Sequence, residues 1–536
     1  MADARIPEPA GLATPIDTDY RIGQHNIAVK LGPLGLDIHN PVFVVSGLTV
    51  VVFVLLALAL QEQAEAFFLW LRGLLTSGFD WFFLLSANIF VIVGLVLIVS
   101  PLGRVRIGGT EARPDYSYLS WFAMLFAAGM GIGLMFFGVA EPISHYTSSI
   151  AENAGTPESW APLAGAPGDP EGARRLAMAA TIFHWALHPW AIYALVALAL
   201  ALFAYNKGLP LTMRSIFYPI FGERTWGWPG HVVDTLAVFA TLFGLATSLG
   251  IGAQQANAGL EFLFGVPVDD LSKVVLVIGI TVIAVTSVVM GLDAGVKRLS
   301  EINMVLAALL LVFVLLFGPT AALVTGFFAN LAAYAQYLPA LSNPFGRSDA
   351  NFAQGWTAFY WAWWISWSPF VGMFIARVSR GRTVREFIVS VLLIPSLVSV
   401  LWMTVFGDTA IALVTEGMQT IADAALELKL FAMLGGLPLS GITSFVGILL
   451  VIVFFTTSSD SGSLVIDTIT AGGKVNAPLA QRVFWAIFEG LVAIALLLGG
   501  GLVALQAAAV STGLPFTVVL LLGCYTLIRG LLREPR

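Results

Sequence analysis

The stretch FYWAWWISWSPFVGMFIARVSRGR at residues 359–382 sets the class of this protein. Apolar and aromatic residues run from Phe359 to Ala376 before a cluster of arginines begins. A helix of about 20 such residues is long enough to cross a bilayer. Pro369 lies inside the stretch, where it removes one helical hydrogen bond. The stretch therefore predicts a membrane-spanning helix that is rich in tryptophan and interrupted near its middle.

The composition of the whole chain agrees with a membrane protein. Of the 536 residues, 58% are hydrophobic, 12% are aromatic and only 11% are charged. Soluble domains carry about 25% charged residues, so this chain could not cover its own surface with polar groups. The net charge of −6 excludes a basic face for nucleic acid, and the single cysteine, Cys524, excludes a disulfide scaffold. The sequence therefore indicates a polytopic membrane protein.

Twelve apolar segments reach spanning length. With the N-terminus inside, 20 of the 26 Lys and Arg fall in the inner connections, which is the positive-inside pattern. We therefore predict an all-α polytopic protein with both termini in the cytoplasm. The predicted spans are 41–60, 81–101, 117–143, 176–205, 231–264, 271–290, 301–328, 352–376, 386–407, 441–468, 483–503 and 509–532.

The third span, WFAMLFAAGMGIGLMFFGVAEP at 121–142, contains three alternating glycines. Each costs about 1 kcal/mol relative to alanine in a helix, so the segment favours local unwinding; close packing through small residues is the alternative. Spans three to seven and eight to twelve form two sets of five. Because five is odd, the second set begins on the opposite side of the membrane. Interrupted first helices in two such halves indicate the central site of a transporter.

These patterns divide the chain into parts with distinct expected roles. Residues 41–532 form a twelve-span transporter domain, and 329–345 has the helical spacing of an interfacial amphipathic helix, bent by Pro339. The parts are a cytoplasmic arm at 1–40, a first repeat at 116–328, the interfacial helix at 329–345, a second repeat at 352–532 and a short tail at 533–536.

Aromatic residues concentrate beside the interrupted spans. The eighth span holds Trp363, Trp364 and Trp367, whose spacings of three and four residues put them on one side of a helix. The fourth span adds FHWALHPWAIY at 183–193. Trp and Tyr in membrane proteins commonly form interfacial belts, which is the alternative interpretation. A dense aromatic cluster can instead bind a quaternary ammonium group through cation–π attraction.

The sequence resembles the betaine/choline/carnitine transporter family over nearly all twelve predicted spans. FYWAWWISWSPFVGMF (359–374) is similar to the family signature, and GMGIGLMFFGVAEP (129–142) and FHWALHPWAIY (183–193) fit equally well. The resemblance implies a LeuT-type fold of two inverted five-helix repeats with two extra N-terminal helices, often as a homotrimer. Choline-type members tend to carry an aspartate in the glycine stretch. This chain has Gly133 there, which implies a glycine-betaine-type member that moves zwitterions.

The resemblance also implies a substrate site. Aromatic faces would hold the quaternary ammonium, with Phe374 as a neighbour, and backbone N–H groups of the unwound glycine stretch would meet the substrate carboxylate. The implied substrate-binding residues are Trp185, Trp190, Tyr193, Trp363, Trp364, Trp367, Phe370, Gly129, Met130, Gly131 and Gly133.

Sodium is the implied coupling ion, and no other cofactor is expected. From the residues alone, VFFTTSSDSGS at 453–463 offers hydroxyl ligands that can equally bond to their own helix. By resemblance, a second site uses Thr241 and Phe370, but Leu245 stands where the family has a threonine, leaving Thr247 or Ser248 as substitutes. No Lys or Arg lies between 224 and 273, which favours sodium over exchange. The implied first site comprises Thr457, Ser458 and the carbonyls of Ala127, Met130 and Phe454.

The expected function is therefore sodium symport of a zwitterionic osmoprotectant, first of all glycine betaine, by alternating access in the bacterial cytoplasmic (inner) membrane. Sodium-independent exchange of carnitine-like betaines is the alternative, as is uptake of dimethylsulfoniopropionate, choline or ectoine. No H-E-x-x-H or G-x-S-x-G motif is present, so an enzyme is not expected. The short C-terminal tail predicts that uptake is not strongly activated by osmotic stress.

Ionisable residues inside the spans are expected to face the interior of the bundle, because they are costly in hydrocarbon. We expect structural or gating pairs at Glu141 and Asp460. His184 and His188 flank Trp185, and we expect packing or hydrogen bonding from them rather than metal binding. The acids concerned are Glu141, Asp460, Asp467 and Glu489.

Overall fold

The computed structural model describes residues 6–31, 34–129, 131–290 and 293–536. Helices dominate, and they pack around one large cluster of buried apolar side chains. The helices are α1 (Val42–Ala59), α2 (Gln61–Val99), α3 (Tyr118–Gly129), α4 (Ile132–Ile150), α5 (Pro170–Trp185), α6 (Leu187–Ala201), α7 (Tyr218–Phe221), α8 (Trp228–Phe264), α9 (Asp270–Met290), α10 (Asp293–Phe317), α11 (Thr320–Leu341), α12 (Ala350–Phe352), α13 (Ala358–Val378), α14 (Val384–Met403), α15 (Thr409–Thr415), α16 (Gln419–Asp423), α17 (Lys429–Gly435), α18 (Ser440–Thr470), α19 (Leu479–Leu498) and α20 (Gly501–Leu532).

Among the described residues, ten helical segments are long and apolar enough to cross a membrane. The third and eighth predicted spans are helical but do not meet that criterion. The third is divided into α3 and α4, and α13 is rich in tryptophan and serine. The polytopic character is therefore confirmed, whereas the number twelve and the inverted repeats stay predictions. The ten segments are Val42–Ala59, Gln61–Val99, Pro170–Asn206, Trp228–Phe264, Asp270–Met290, Ser300–Phe317, Val384–Thr415, Ser440–Thr470, Leu479–Leu498 and Gly501–Leu531.

Two predicted boundaries were wrong. The second span was predicted at 81–101, but α2 begins at Gln61, because the polar residues of its first turns do not stop the helix. The seventh span was predicted to reach 328, but α10 ends at Phe317 and Gly318 and Pro319 follow. Residues 320–328 instead belong to α11, which contains most of the predicted interfacial segment.

The helix breaks differ from those predicted. The third span is interrupted as expected: α3 ends at Gly129, and Gly131 is extended before α4. Pro369, however, lies inside a continuous α13, so the predicted interruption there was wrong. Proline frees the carbonyl of Ile365, and Ser368 Oγ donates to that oxygen at 2.7 Å, which keeps the turn hydrogen-bonded.

A second break lies within the fourth span, where the sequence analysis placed none. Ala186 has φ −112° and ψ −111°, and it separates α5 from α6. The sequence carried a signal for it, because Pro189 cannot donate to the carbonyl of Trp185 and its ring crowds that turn. The break turns the chain directly beside Trp185.

The N-terminal arm is more ordered than the all-α prediction allowed. Its strands β1 (Asn26–Leu31) and β2 (Leu34–His39) pair antiparallel, with Asn26 opposite His39. The hairpin contacts the chain after α18, where Lys474 Nζ lies 2.5 Å from Asp37 Oδ2. Upstream, Ile16 N donates to Lys207 O at 2.9 Å. The arm therefore contacts both the chain after α6 and the chain after α18.

Three of the four acidic residues inside the spans are buried as expected, and the fourth, Asp460, is partly buried. Glu141, Asp467 and Glu489 are each at most 1% exposed. Ser459 Oγ donates to Glu489 at 3.0 Å, and Gln481 Nε2 donates to Asp467 at 3.3 Å. Burial of a carboxylate is tolerable only with such partners.

Candidate functional site

A cavity lies where the two breaks meet α8, α13 and α18. Its walls are four aromatic side chains from α5 and α13, one tyrosine from α6, the first residues of α4 and two serines. None of the lining residues that the structure describes carries a formal charge. The lining residues are Gly131, Ile132, Gly133, Leu134, Trp185, Tyr193, Ser248, Trp363, Trp364, Trp367, Val371 and Ser458.

The four indole N–H groups of this cavity are all bonded to the protein. Trp363 Nε1 and Trp367 Nε1 both donate to Ser248 Oγ at 3.1 Å, and Trp367 also lies 3.1 Å from Gly244 O. Trp364 Nε1 donates to His184 O at 3.0 Å, and Trp185 Nε1 donates to a carboxylate oxygen of Glu141 at 2.9 Å. These bonds fix the rings and leave their π faces as the groups available to a ligand.

The rings are held at steep angles to one another. Trp185 meets Trp364 at 83° with centroids 5.1 Å apart, and it meets Trp363 at 88° with centroids 6.3 Å apart. Tyr193 meets Trp364 at 73° with centroids 5.4 Å apart. Rings set this way present faces from different directions, which is the geometry of an aromatic cage for an ammonium group.

Gly133 allows the indoles to come this close to α4. A Cβ built on Gly133 would lie 2.5 Å from Trp185 Cη2, closer than real contacts, and 3.0 Å from Trp363 Cη2, which is tighter than most. A Cβ on Gly131 would meet nothing within 4 Å. Gly133 is therefore required by packing, whereas Gly131 contributes an extended turn ahead of the helix. An aspartate could not fit at 133 in this arrangement.

The first turn of α4 opens onto the same cavity, through Gly131, Ile132 and Gly133. The first N–H groups of a helix have no partner within the helix, and the helix dipole makes them attractive to anions. The cavity thus combines aromatic faces for a cation with a helix N-terminus for a carboxylate.

Most of the residues predicted for the substrate site line this cavity. Trp190 is fully buried behind Tyr193, with centroids 5.4 Å apart, and Phe370 packs beside Trp367 at 5.4 Å. Neither of these two is among the lining residues. Gly129 ends α3, and Met130 lies outside the described residues. The lining residues that the sequence analysis did not assign to the substrate are Ile132, Leu134, Ser248, Val371 and Ser458.

Ser248 had been considered only as a sodium ligand. In the fold its hydroxyl accepts from two indoles and donates to Gly244 O at 3.1 Å. A small hydroxyl side chain facing a tryptophan-rich helix was the only hint in the sequence.

The predicted first sodium site spans α3 and α18. Ser458 lines the cavity, which puts the α18 end of this site next to the aromatic rings. Thr457 Oγ1 donates to Val453 O and Phe454 O, each at 3.1 Å, which is the bonding within one helix that the residues alone left open. Ala127 lies near the end of α3.

The predicted second sodium site has fewer oxygen atoms than the family pattern. Thr241 Oγ1 donates to Ala237 O at 2.8 Å. Leu245 is buried and fills the space above Gly462, where an added Cβ would come within 2.3 Å of its side chain. Thr247 Oγ1 is bonded to Phe243 O at 2.7 Å and to Leu505 O at 3.0 Å. Leu245 is thus a packing residue between α8 and α18.

Glu141 forms a buried cluster directly behind Trp185. Its Oε1 lies 2.6 Å from His184 Nδ1 and 3.2 Å from His145 Nε2. Its Oε2 accepts from Trp185 Nε1 and, at 2.5 Å, from the hydroxyl of Tyr360. The hydrogen-bonding role predicted for His184 agrees with these contacts. His188 stacks on Trp361 and lies 2.9 Å from Asn88 Oδ1.

A bundle of apolar helices around an aromatic cavity is typical of a membrane transport protein. Residues 41–536 match the family described as BCCT, betaine/carnitine/choline family transporter. This chain belongs to that family, and its relatives are transporters and not enzymes.

Named relatives cover nearly the whole chain. A glycine betaine/proline/choline transporter of Vibrio parahaemolyticus is 67% identical, over 99% of this chain and 97% of the relative. Glycine betaine transporter 1 of the same organism is 55% identical, over 96% of this chain and 97% of the relative. Glycine betaine transporter OpuD of Bacillus subtilis is 43% identical, over 89% of this chain and 90% of the relative.

Proposed function

We propose that this transporter carries glycine betaine into the cell as a sodium symporter, by alternating access. The observation that carries the proposal is the cavity in which the indole N–H groups are tied to the protein and only ring faces and the N-terminus of α4 remain for a ligand. A trimethylammonium group donates no hydrogen bond, so ring faces suit it better than polar side chains do.

A zwitterion matches this lining better than a simple cation does. The lining side chains are formally neutral, and Gly133 excludes the aspartate that would balance a cation lacking its own carboxylate. The substrate carboxylate is neutralised by N–H groups at the start of α4. Relatives are named for glycine betaine, and some also for proline, choline or ectoine, so these solutes belong in the test panel.

One sodium ion per cycle is the coupling that the side chains favour. Ser458 borders the substrate cavity and Thr457 precedes it, so an ion there would contact the same turn of α18 that meets the substrate. At the second position, Leu245 stands where the resemblance implies a threonine, and its side chain offers no oxygen. One charge moving across 100 mV supplies about 2.3 kcal/mol, or roughly 50-fold accumulation of a zwitterion.

We propose that the protein lies in the bacterial cytoplasmic membrane with both termini inside, as a homotrimer surrounded by lipid, and that it serves osmoprotection. The positive-inside count supports the orientation. Attachment of a membrane-impermeant reagent to cysteines introduced at the N-terminal arm and in the loop at 151–169 tests it, provided that Cys524 is first replaced.

Uptake into proteoliposomes tests the function. Labelled glycine betaine should accumulate when an inward sodium gradient is imposed, and the initial rate should depend on sodium with a Hill coefficient near one. Thr457→Val should raise the sodium requirement about tenfold or more, whereas Thr241→Val, the matched control, should leave it within about twofold. Accumulation without sodium, or exchange only against internal betaine, would overturn the symport proposal in favour of an exchanger.

A further inference from the structure

A buried carboxylate stands directly behind one wall of the aromatic cavity. Glu141 on α4 is fully buried, and its Oε2 accepts the indole N–H of Trp185 at 2.9 Å. The ring of Trp185 lines the cavity. Glu141 itself is not a lining residue, so it cannot contact a ligand in the cavity directly. It can influence such a ligand only by way of the Trp185 indole that lies between them.

Four donors surround the two oxygens of this carboxylate. Tyr360 and Trp185 point to Oε2, and His184 and His145 point to Oε1. An indole N–H can only donate, and an ionised carboxylate is the group that accepts from several donors at once. The second nitrogen of His184 lies 2.9 Å from Thr357 Oγ1, which anchors that ring from its other side.

Metal binding is the competing interpretation, because ligand atoms of Glu141, His145 and His184 lie within 4.8 Å of one another. Glu141 Oε1 lies 2.6 Å from His184 Nδ1, which is a hydrogen-bond distance, and all three side chains are fully buried. A metal at Oε1 would have to separate that pair, whereas Trp185 and Tyr360 are bonded to the other oxygen, Oε2. The contacts are accounted for by hydrogen bonding alone.

We propose that Glu141 is a positioning and polarising residue that sets the affinity of the cavity for the ammonium group, acting through the indole of Trp185. A bond from N–H to a carboxylate withdraws the proton partly from the indole nitrogen and makes the ring more electron-rich. The negative π face then attracts a cation more strongly. The same bond fixes Trp185 at near right angles to Trp363 and Trp364.

The consequence for specificity follows from charge. The negative charge sits one layer behind the cavity, where it favours an ammonium group without offering a carboxylate oxygen that would repel the substrate's own carboxylate. The cavity can thereby hold a zwitterion in a formally neutral lining while still attracting its cationic end.

This inference rests on the proposed function, so the test begins with wild-type protein binding glycine betaine by calorimetry in the presence of sodium. Glu141→Gln keeps the shape and the acceptor for Trp185 but removes the charge. We expect its dissociation constant to rise about tenfold. Trp185→Phe keeps a ring face and removes the N–H, and it should also weaken binding about tenfold or more.

The double variant decides whether Glu141 acts through Trp185. If it does, Glu141→Gln added to Trp185→Phe should weaken binding by no more than about threefold further, because the bond is already absent. Additive losses would overturn the proposed route. A purely structural role predicts additive losses, and it also predicts that Tyr360→Phe, which removes the other donor on the same oxygen, weakens binding as much as Glu141→Gln. We expect Tyr360→Phe to stay within about threefold.

Asp467→Asn is the matched control. It neutralises another acid at 1% exposure, bonded by Gln481 and distant in sequence from the cavity helices α4 and α5. It should leave betaine affinity within about twofold. Unchanged affinity in Glu141→Gln would overturn the inference while leaving the function intact, whereas failure of the wild type to bind betaine would overturn the function instead.

Discussion

Two regions of the molecule differ in their use of charge. The aromatic cavity is lined by neutral side chains, whereas the N-terminal arm docks against buried ion pairs. The cavity lining is formally neutral, and the carboxylate of Glu141 lies behind Trp185. The arm end contains buried ion pairs, with Lys207 Nζ 2.5 Å from Glu534 and Arg214 Nε 2.5 Å from Asp234. Ring faces act at short range and through shape, whereas buried charges respond to protons and to the loss of one partner. The two regions should therefore fail under different changes.

The largest effect is expected from the smallest addition to the cavity. Gly133→Ala places a methyl group within 2.5 Å of Trp185 and 3.0 Å of Trp363, so the cage cannot close. Betaine affinity should fall about 100-fold or more, because overpacking costs about 1–3 kcal/mol and the ring faces are displaced as well. Gly131→Ala meets no neighbour within 4 Å and should weaken binding by no more than about threefold. Equal losses in both variants would show that backbone freedom, and not ring packing, makes Gly133 necessary. Calorimetric titration of both proteins separates these outcomes.

Removing one ring face should have the next largest effect. Trp364→Ala removes the ring that contacts both Trp185 and Tyr193, and loss of about 2 kcal/mol corresponds to about a 30-fold higher dissociation constant. Trp364→Phe should recover part of that loss because it restores a face. Trp228, which is 76% exposed, provides the control Trp228→Ala, with no expected change. If Trp364→Ala binds betaine as tightly as the wild type does, the aromatic rings are not the site that binds the ammonium group.

The arm end should respond to the loss of a single charge. Glu534 accepts from Thr14 Oγ1 at 2.6 Å and from Asn206 Nδ2 at 3.0 Å in addition to Lys207. Glu534→Gln leaves the buried Lys207 without its anionic partner, although Thr14 Oγ1 still accepts from it. Bonds to charged groups contribute about 1.5–3 kcal/mol. Backbone amides of residues 10–16 should therefore exchange hydrogen at least about tenfold faster. Glu152→Gln, which changes an exposed acid in the loop between α4 and α5, is the control. Unchanged exchange of the arm would mean that backbone contacts alone hold it.

The sequence predicted the cavity better than it predicted the helices around it. Trp363, Trp364 and Trp367 follow from spacing on one helix, so periodicity alone places them on the same side. The acceptors of their N–H groups do not follow, because Ser248, His184 and Glu141 are distant in the chain and meet the indoles only after folding. Local pattern indicates which face a residue occupies, and long-range packing decides its partner.

The effect of a proline on its helix also could not be predicted from local sequence alone. Pro369 was predicted to interrupt a helix, but Ser368 donates to the freed carbonyl and the helix continues. Pro189, which drew no prediction, follows the break at Ala186. Other prolines also lie inside continuous helices, so a proline by itself does not decide where a helix breaks. They are Pro142, Pro339, Pro395 and Pro515.

The hairpin of the arm provides the smallest and most specific test, through His39. This side chain is fully buried, its Nδ1 lies 3.1 Å from Asn26 Oδ1, and its Nε2 has no partner among the described residues. Burial, the Arg214 guanidinium and the rings of His231 and His25 lower the pKa of His39 to about 3. The docked arm therefore holds neutral His39, whereas the released arm takes up a proton below pH 6.5. Docking is thus fully stable above that pH and weakens as the pH falls towards 3.

Acidification from pH 7.5 to 5.5 should weaken docking of the two strands about tenfold. The reason is that pH 5.5 lies about one unit below the ordinary pKa of histidine, so protonation of His39 favours the released arm about tenfold. Hydrogen exchange, corrected for the intrinsic effect of pH, measures this change. His39→Gln should remove most of the dependence, since a neutral amide does not titrate. Betaine affinity should change less than docking does over the same interval, because the cavity lining is formally neutral. If acidification lowers betaine affinity while the arm stays docked, the cavity and not the arm is the region that responds to protons.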